Sequence, residues 1–203
     1  MGSMDRAYFD EMYRADPDPW QFESSWYEQR KYALTMAALP GHRYRSAFEP
    51  GCSIGVLSSL LAERCDHLLA SDIVPDVVER ARNRCLGSEN VRFEVRAIPE
   101  EWPTGPFDLI LLSEIAYYFD RPALDEILTH VLTTTHSAAT IVGVHWRGTT
   151  NYPLTGDEAH EVIDSLPQLQ RMVHYEESPF LMDVWRRLPD DSMGGRNVRV
   201  GQS

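Results

Sequence analysis

A short glycine-containing segment between a strand and a helix constrains this chain more than any other feature. The sequence EPGCSIG, residues 49–55, joins a short strand pattern to the helical pattern VLSSLLAERC. Gly51 allows a sharp turn and the close approach of a ligand to the backbone. Gly55 opens the helix, whose free N–H groups attract polar or negative ligand atoms. The segment therefore predicts a ligand site at the end of the first strand.

An acidic residue follows this loop at the spacing that a ribose site requires. Asp72 comes about 20 residues after Gly51, at the expected tip of the second strand, where a carboxylate can accept both ribose hydroxyls. The dinucleotide fingerprint G-x-G-x-x-G is absent, which disfavours a bound pyrophosphate. An NAD- or nucleotide-binding enzyme is therefore an alternative to a cofactor without phosphate. A protein that binds the cofactor without catalysis is a second alternative.

Strand and helix patterns alternate from residue 41 onward. The run FDLILLSE, residues 107–114, is typical of a central parallel strand covered on both faces. The last two strand patterns, QRMVHYEE and FLMDVWRRL, are joined too tightly for a parallel crossover. These patterns predict an α/β fold with a Rossmann-like, doubly wound sheet of seven strands, the last of them antiparallel.

The two ends of the chain differ from this alternating region. Two helix patterns, residues 5–14 and about 24–38, flank the sequence DPDPW, where each proline keeps the preceding residue out of the α region. We expect residues 1–40 to form an N-terminal helical lid and residues 41–188 to form the main domain. The glycine-containing stretch 189–203 is expected to be a flexible tail.

Charge and cysteine content narrow the class of partners. The 19 basic and 31 acidic residues give a formal net charge of −12, which repels nucleic acid and anionic lipid and suits a small-molecule substrate. Three cysteines without C-x-x-C spacing indicate free thiols in a reducing cytoplasm. No apolar run has the length of a membrane span, and no histidine spacing is typical of a zinc site. We therefore expect a cytoplasmic enzyme without nucleic-acid, membrane or metal partners, and the sequence indicates no particular oligomeric state.

The motifs resemble those of class I S-adenosylmethionine-dependent methyltransferases. E-x-G-x-x-x-G is similar to the first motif of that class, whose cofactor has a ribose but no phosphate, and FDLILLSE is similar to its fourth-strand motif. DPDPW, the YEQRK segment (27–31), EPGCSIG and LSEIAYYF (112–119) together resemble the NodS-type methyltransferases over residues 16 to about 146. That family includes an N-methyltransferase acting on an amino sugar. The resemblance implies methyl transfer from S-adenosylmethionine to N or O of a small molecule such as an amino sugar, with S-adenosylhomocysteine as product.

The resemblance also implies which residues contact the cofactor. Lys31 is an alternative to Arg30 for the cofactor's carboxylate. Ala97 stands where the family has an acidic residue beside the adenine, which leaves the adenine to the Ile98 backbone, apolar contacts, or Glu100 or Trp102. The expected cofactor-binding residues are Trp20, Arg30, Glu49, Gly51, Cys52, Ser53, Gly55, Asp72, Ile73, Ala97, Ile98 and Ser113.

Glu114 and His145 are the candidates for orienting and deprotonating the acceptor. Glu114 follows the fourth strand and His145 ends the fifth, both at the edge where such sheets bind ligands. A proton-accepting group matters when the acceptor is an ammonium or a hydroxyl. The alternatives are a helix-start carboxylate for Glu114 and a hydrogen-bonded structural residue for His145. Tyr117, Trp146 and Arg147 are predicted to line the acceptor pocket.

Overall fold

Strands and helices alternate through most of the chain in the computed structural model, which describes residues 2–189. The predicted tail, 189–203, lies outside the described residues apart from its first position. Within the described part no helix has both the length and the apolar character needed to cross a bilayer. In chain order the elements are α1 (Arg6–Ala15), α2 (Trp26–Ala38), β1 (Tyr44–Pro50), α3 (Val56–Ala62), β2 (Cys65–Asp72), α4 (Pro75–Arg84), β3 (Val91–Val95), β4 (Phe107–Ser113), a one-turn 3₁₀ helix (Ala116–Tyr118), α5 (Arg121–Thr134), β5 (Thr135–Trp146), α6 (Gly156–Asp164), β6 (Leu169–Glu176) and β7 (Phe180–Arg187).

The strands form one seven-stranded sheet in the order β3-β2-β1-β4-β5-β7-β6. Strands β1 to β5 pair in parallel, and β7 runs antiparallel to both β5 and β6. The order reverses between β1 and β4, which is the point where doubly wound sheets open a crevice beyond the carboxyl ends of their strands. The predicted seven-stranded α/β fold with an antiparallel last strand is confirmed.

The central strand β4 shows why this chain folds into three layers. Leu109 and Leu111 pack into an apolar cluster on one face, whereas Ile110 and Leu112 pack into a second cluster on the other face. All four side chains are buried. A strand that is apolar at every position can satisfy both faces only between two layers of helices, as the sequence pattern predicts.

Side-chain caps and glycine packing fix the elements beside the pocket. The Asp5 carboxylate accepts the Tyr8 N–H at 3.0 Å and begins α1. Gly55 has φ of +78°, and a Cβ on it would lie 2.8 Å from the Ala81 Cβ. Because only glycine tolerates both the conformation and the contact, Gly55 allows α3 to pack closely on α4.

Two segments differ from the sequence prediction. The sequence pattern VRFEVRAI, residues 91–98, predicts a third strand that reaches residue 98. The strand ends at Val95 instead, because its partner strand β2 ends at Asp72, which pairs with Val95. The sequence predicts a strand that ends at about residue 114 and no helix directly after it. The structure has the 3₁₀ turn Ala116–Tyr118 in this segment. That turn brings three consecutive residues into the core beside the sheet edge.

Candidate active site

One large pocket lies beyond the carboxyl ends of β1, β2 and β4. It encloses about 1000 Å³, part of which is open to solvent. Its walls come from the N-terminal segment, the glycine loop, the tip of β2 and the segment after β4. Among the predicted site residues, those lining it are Trp20, Glu49, Gly51, Cys52, Ser53, Asp72, Ile73, Ile98, Ser113 and Glu114.

The glycine loop forms the floor of this pocket because Gly51 leaves it room. Gly51 has φ of +72°, and a Cβ on it would lie 2.7 Å from the Ile115 Cδ1. Any side chain at position 51 would therefore strain the backbone and press on the segment after β4. Gly55 does not line the pocket, so the geometry does not support the predicted contact between Gly55 and a cofactor. The missing side chain at this position instead allows α3 to pack on α4.

Asp72 is held rigidly at the rim of the loop. Its two carboxylate oxygens accept the Ser53 N–H and the Val74 N–H, each at 3.0 Å. Burial raises the pKa of Asp72 to about 6, although the backbone hydrogen bonds from Val74 and Ser53 oppose that shift. A carboxylate has about four acceptor positions, so these backbone donors leave acceptor capacity for a hydroxyl group in the pocket.

Glu49 is a second buried carboxyl group, at the end of β1. It accepts a hydrogen bond from the Ser58 hydroxyl at 2.5 Å. Burial raises the pKa of Glu49 to about 8; the Ser58 hydrogen bond opposes this shift, and Asp72 adds to it. Asp72 is mainly ionised at pH 7, and a cation bound beside Glu49 would favour its ionised form, so this part of the pocket is favourable for a cationic ligand and unfavourable for a phosphate.

Aromatic side chains of the N-terminal segment cover the pocket. Trp20 stacks on Phe22 at a centroid distance of 5.5 Å and meets the edge of Tyr13 at the same distance. The Tyr13 hydroxyl is hydrogen-bonded to the Ser53 hydroxyl and so joins α1 to the glycine loop. The Asp18 carboxylate accepts the Phe22 N–H at 2.9 Å and fixes the turn that presents Trp20.

Glu114 lies where the pocket meets the end of β4. Its backbone has φ of +54°, a conformation that few non-glycine residues adopt. Oε1 accepts a hydrogen bond from Lys31 Nζ at 2.5 Å, while Oε2 accepts the Tyr117 hydroxyl at 2.5 Å and the Trp146 N–H at 2.9 Å. Three donors from three different segments therefore hold one carboxylate in a strained turn.

Lys31 supplies the counter-charge for this carboxylate from inside the protein. Its side chain is 2% exposed, and Nζ also contacts the Glu28 carboxylate at 2.9 Å. Burial lowers the pKa of Lys31, but the neighbouring Glu114 and Glu28 carboxylates outweigh that effect and raise it overall. The lysine is thus a cation, and two carboxylates share it.

His145 does not line the pocket, contrary to the prediction that it deprotonates the acceptor. Its ring is fully buried, Nε2 accepts the Ala116 N–H at 3.0 Å and Nδ1 contacts His160 Nε2 at 2.9 Å. Both ring nitrogens therefore have protein partners. Burial is the main cause that lowers the pKa of His145 well below its usual value, and His160 and Lys31 add to it. The alternative, a hydrogen-bonded structural residue, is what this geometry supports.

The remaining predicted residues contact other parts of the protein. Arg30 pairs with the Glu177 carboxylate and the Tyr175 hydroxyl on the surface. Arg147 pairs with Asp157 at the start of α6 and with Glu176 at the end of β6. Ala97 does not line the pocket, although its neighbours Arg96 and Ile98 do, and its N–H donates to the Glu101 carboxylate at 2.7 Å.

The acceptor side also differs from the prediction. Tyr117 is buried and supports Glu114, so its neighbour Tyr118 lines the pocket instead. Trp146 is 39% exposed and does not line the pocket, and only its backbone N–H contacts Glu114. The sequence alone could not show which of the two adjacent tyrosines lines the pocket, because that depends on the 3₁₀ turn in which both lie.

Several lining residues were not predicted from the sequence. They share an aromatic or apolar character and lie in or next to the N-terminal helices or after β4; they are Met4, Phe9, Tyr13, Phe22, Tyr32, Tyr118 and Phe119. The spacing of Phe9 and Tyr13, four positions apart on one helix face, was the available signal. It could indicate a buried face but not what that face covers.

Solved structures with the same fold identify the class. A methyltransferase structure from Pseudomonas syringae is 39% identical, with a TM-score of 0.72, covering 80% of this chain and 100% of that one. The N-methyltransferase NodS from Bradyrhizobium japonicum, in complex with S-adenosyl-L-homocysteine, has a TM-score of 0.79 at 19% identity, covering 90% and 99%. The sheet order and the glycine loop facing Asp72 define the class I methyltransferase fold.

The family model of Nodulation protein S matches residues 9–143. The chain therefore belongs to the Nodulation protein S (NodS) family of class I S-adenosylmethionine-dependent methyltransferases. The Nodulation protein S of Bradyrhizobium diazoefficiens is 35% identical over 103 residues, 50% of this chain and 49% of that protein. That of Sinorhizobium fredii is 29% identical over 119 residues, 58% of this chain and 55% of that protein. The chain thus spans about half the length of the curated relatives it matches.

Proposed function

We propose that this chain transfers a methyl group from S-adenosylmethionine to the amino group of a small molecule, with Glu114 as the residue that orients the amine and accepts its proton. The observation that carries the proposal is Glu114, which lines the pocket at the end of β4 and whose carboxylate is held by Lys31, Tyr117 and the Trp146 backbone.

The residues of the pocket fit this cofactor. Asp72 has acceptor positions left for ribose hydroxyls, and Ile73 and Ile98 offer apolar surface for the adenine. Glu49 and Asp72 favour the positive charges of the cofactor's sulfonium and ammonium groups. When bound, the cofactor supplies a methyl group on a positively charged sulfur, which makes that carbon open to attack by a lone pair.

The positions of three carboxyl groups suggest where the cofactor and the acceptor bind along the sheet edge. Asp72, Glu49 and Glu114 lie at the tips of β2, β1 and β4, which are neighbours in that order. Adjacent strands are about 4.8 Å apart, so Glu114 lies roughly 10 Å across the sheet edge from Asp72. Asp72 would hold the ribose of a bound cofactor, and Glu114, which lies beyond Glu49 in this order, would then contact the acceptor.

Glu114 can act on an amine in two ways. An amine must present its lone pair to the methyl carbon, and a carboxylate that accepts its N–H aligns it for in-line attack. The new N–C bond forms as the C–S bond breaks, and the nitrogen then carries a proton that it must lose. Glu114 accepts that proton, while Lys31 and Tyr117 keep the carboxylate in place.

The N-terminal segment, residues 1–40, acts as the lid of this site in our proposal. Trp20, Phe22, Phe9 and Tyr13 cover the cofactor side of the pocket with aromatic surface. Such a cover excludes water, which strengthens the electrostatic contacts inside. The amine class of acceptor is supported by the acidic pocket and by the N-methyltransferase named among the structural relatives.

The test is release of S-adenosylhomocysteine from S-adenosylmethionine with a panel of acceptors. We expect turnover with amines such as glucosamine or ethanolamine, and little with a phenol or a carboxylic acid. Glu114→Gln should lower kcat at least a hundredfold, the range lost with a general base, and leave S-adenosylhomocysteine affinity within about threefold. Glu126→Gln, an exposed acid on α5, is the matched control. Binding of the cofactor without turnover of any amine would favour the alternative of a non-catalytic binding protein.

A further inference from the structure

A buried chain of polar groups runs from the active-site turn through the protein interior outside the pocket. It starts at the Ala116 N–H, passes through His145 and His160, and ends at Asp183. His145, His160 and Asp183 are at most 3% exposed, although histidine and aspartate are usually found on surfaces. We infer that this array positions the turn carrying Glu114 for methyl transfer, so that His145 is a positioning residue. The inference rests on the proposed function of Glu114.

The direction of every hydrogen bond in the array follows from the backbone N–H at its start. Because Ala116 donates to His145 Nε2 at 3.0 Å, that nitrogen must carry a lone pair. The proton of the neutral His145 ring is then on Nδ1 and is donated to His160 Nε2 at 2.9 Å. His160 in turn carries its proton on Nδ1 and donates it to the Asp183 Oδ2 at 2.6 Å.

The array therefore permits one protonation state only. A second proton on His145 would remove the acceptor for Ala116, and a second proton on His160 would face the donor of His145. Asp183 ends the chain as an acceptor, and its other oxygen accepts His174 Nδ1 at 2.8 Å, with Arg171 Nε at 3.8 Å. The Asp183 carboxylate at one end and the Ala116 N–H at the other thus require the same tautomer of both rings.

The surrounding packing is built to admit these rings. A Cβ on Gly143 would lie 3.2 Å from His160 Cε1, so a glycine in β5 is what leaves space for the ring. A Cβ on Gly156 would lie 3.0 Å from the His145 Cβ, where α6 approaches β5. Two glycines therefore set the depth at which α6 presents His160 to the sheet.

His145 reaches Glu114 by two routes. It holds the Ala116 N–H, two residues from Glu114 in the same turn, and its ring packs on the Tyr117 ring at a centroid distance of 5.0 Å. Tyr117 donates its hydroxyl to Glu114. Since Glu114 occupies a strained backbone conformation, the turn needs such contacts to persist. An apolar residue at 145 would leave a buried N–H without a partner and free the tyrosine ring.

The first experiment reads the tautomers directly by ¹⁵N NMR of the full chain labelled at histidine. We expect His145 and His160 to be neutral and protonated on Nδ1 at pH 7, which is the less common histidine tautomer. His67, an exposed histidine on β2 outside the array, serves as the internal comparison. A charged ring or an Nε2-protonated ring at either buried position would overturn the array.

The second experiment compares His145→Gln with His145→Leu, using glucosamine and S-adenosylmethionine as substrates. Glutamine can accept from Ala116 and donate to His160, whereas leucine can do neither. We expect the Gln variant to keep kcat within threefold of wild type. The Leu variant should lose at least tenfold in kcat, the scale of an unmet buried hydrogen bond, with S-adenosylhomocysteine affinity within about twofold. His136→Gln, an exposed histidine at the start of the same strand, is the control.

The outcomes separate this inference from the proposed function. An equal loss in both His145 variants would mean that the ring itself acts chemically, and full activity of the Leu variant would mean that it positions nothing; either result overturns the inference. If Glu114→Gln retains full activity, the proposed role of Glu114 fails even when the NMR tautomers are as expected. Should the Leu variant fail to fold, the Gln variant and the tautomers decide, and a Gln loss of tenfold or more counts against the positioning role.

Discussion

At the scale of single residues, buried carboxyl groups determine the character of the pocket. Asp72, Glu49 and Glu114 each have a defined set of donors, and the donors differ: backbone N–H groups, a serine hydroxyl, and a lysine with a tyrosine and a backbone N–H. The sequence predicts the position of Asp72 beside the glycine loop, because its distance from that loop is set by one strand–helix–strand unit. It could not predict Lys31 as the partner of Glu114, because that contact joins residues 83 positions apart.

The ribose assignment is testable at Asp72. Asp72→Ala should weaken S-adenosylhomocysteine binding at least tenfold in calorimetry, because a charge-assisted hydrogen bond contributes about 1.5–3 kcal/mol. Asp76→Ala, in the exposed first turn of α4, is the matched control and should bind normally. Equal affinity of wild type and Asp72→Ala would exclude the ribose contact.

Glu49 predicts a pH dependence of stability in the protein without ligand. Its pKa rises from the usual 4.5 to about 8 on burial, so the folded state binds a proton more tightly than the unfolded state. Stability from this group is complete below pH 4.5 and is lost as pH rises toward and through 8. Each pKa unit is about 1.4 kcal/mol, so the loss is on the order of 5 kcal/mol.

Urea denaturation from pH 5 to 9 measures this effect. Glu49→Gln should flatten the fall in unfolding free energy over that range, since a neutral amide has no proton to lose. Glu63→Gln, at the exposed end of α3, should leave the slope unchanged. A Glu49→Gln profile as steep as wild type would show that other groups cause the slope.

At the scale of elements, the N-terminal helices complete a site that the sheet leaves open. The sequence predicts both helices and the DPDPW break between them, and it predicts Trp20 as a lid residue. Their aromatic faces had no visible partner in the sequence, since the pocket they cover is built from the ends of β1, β2 and β4. The 3₁₀ turn after β4 was missed for a similar reason: packing against β5 and α6 sets its shape.

The proposed lid role of Trp20 predicts that substitutions of Trp20 and Trp26, six positions apart, have different effects on ligand binding. Trp20→Ala should weaken S-adenosylhomocysteine binding roughly tenfold, mainly through faster dissociation, because a large aromatic side chain no longer covers the pocket. Trp26→Ala is the matched control, since that side chain is 74% exposed. Stopped-flow dissociation rates measure both. The lid role is contradicted if the two variants release the ligand at the same rate.

At the scale of the whole molecule, the pocket joins elements from separate parts of the chain. A ligand there contacts α1, the glycine loop, the tip of β2 and the segment after β4 together. Binding to the folded state alone stabilises it by about 2.7 kcal/mol at a ligand concentration of 100 Kd. For a chain of this size that corresponds to a rise in Tm of roughly 5–10 °C.

Thermal unfolding with different ligands tests the cofactor class. S-adenosylhomocysteine should raise Tm by this amount, whereas NAD at the same concentration should leave it within about 1 °C, because the loop lacks the third glycine of a pyrophosphate site. The Asp72→Ala variant provides the control, and its rise should be smaller at equal ligand concentration. A larger rise with NAD would favour the dinucleotide alternative.

The sequence by itself determined the features that depend on local spacing. Apolar periodicity determined the strands and helices, the tight link between the last two strands determined the antiparallel pair, and the loop at Gly51 with Asp72 determined the cofactor side. The tertiary structure decided which polar side chains meet across the sheet edge. In the folded protein Lys31 is buried against Glu114, Arg30 lies outside the pocket, and both ring nitrogens of His145 have protein partners. The physical reason is that spacing along a strand or helix is set by the backbone, whereas the partner of a buried charge is set by packing between elements far apart in the chain.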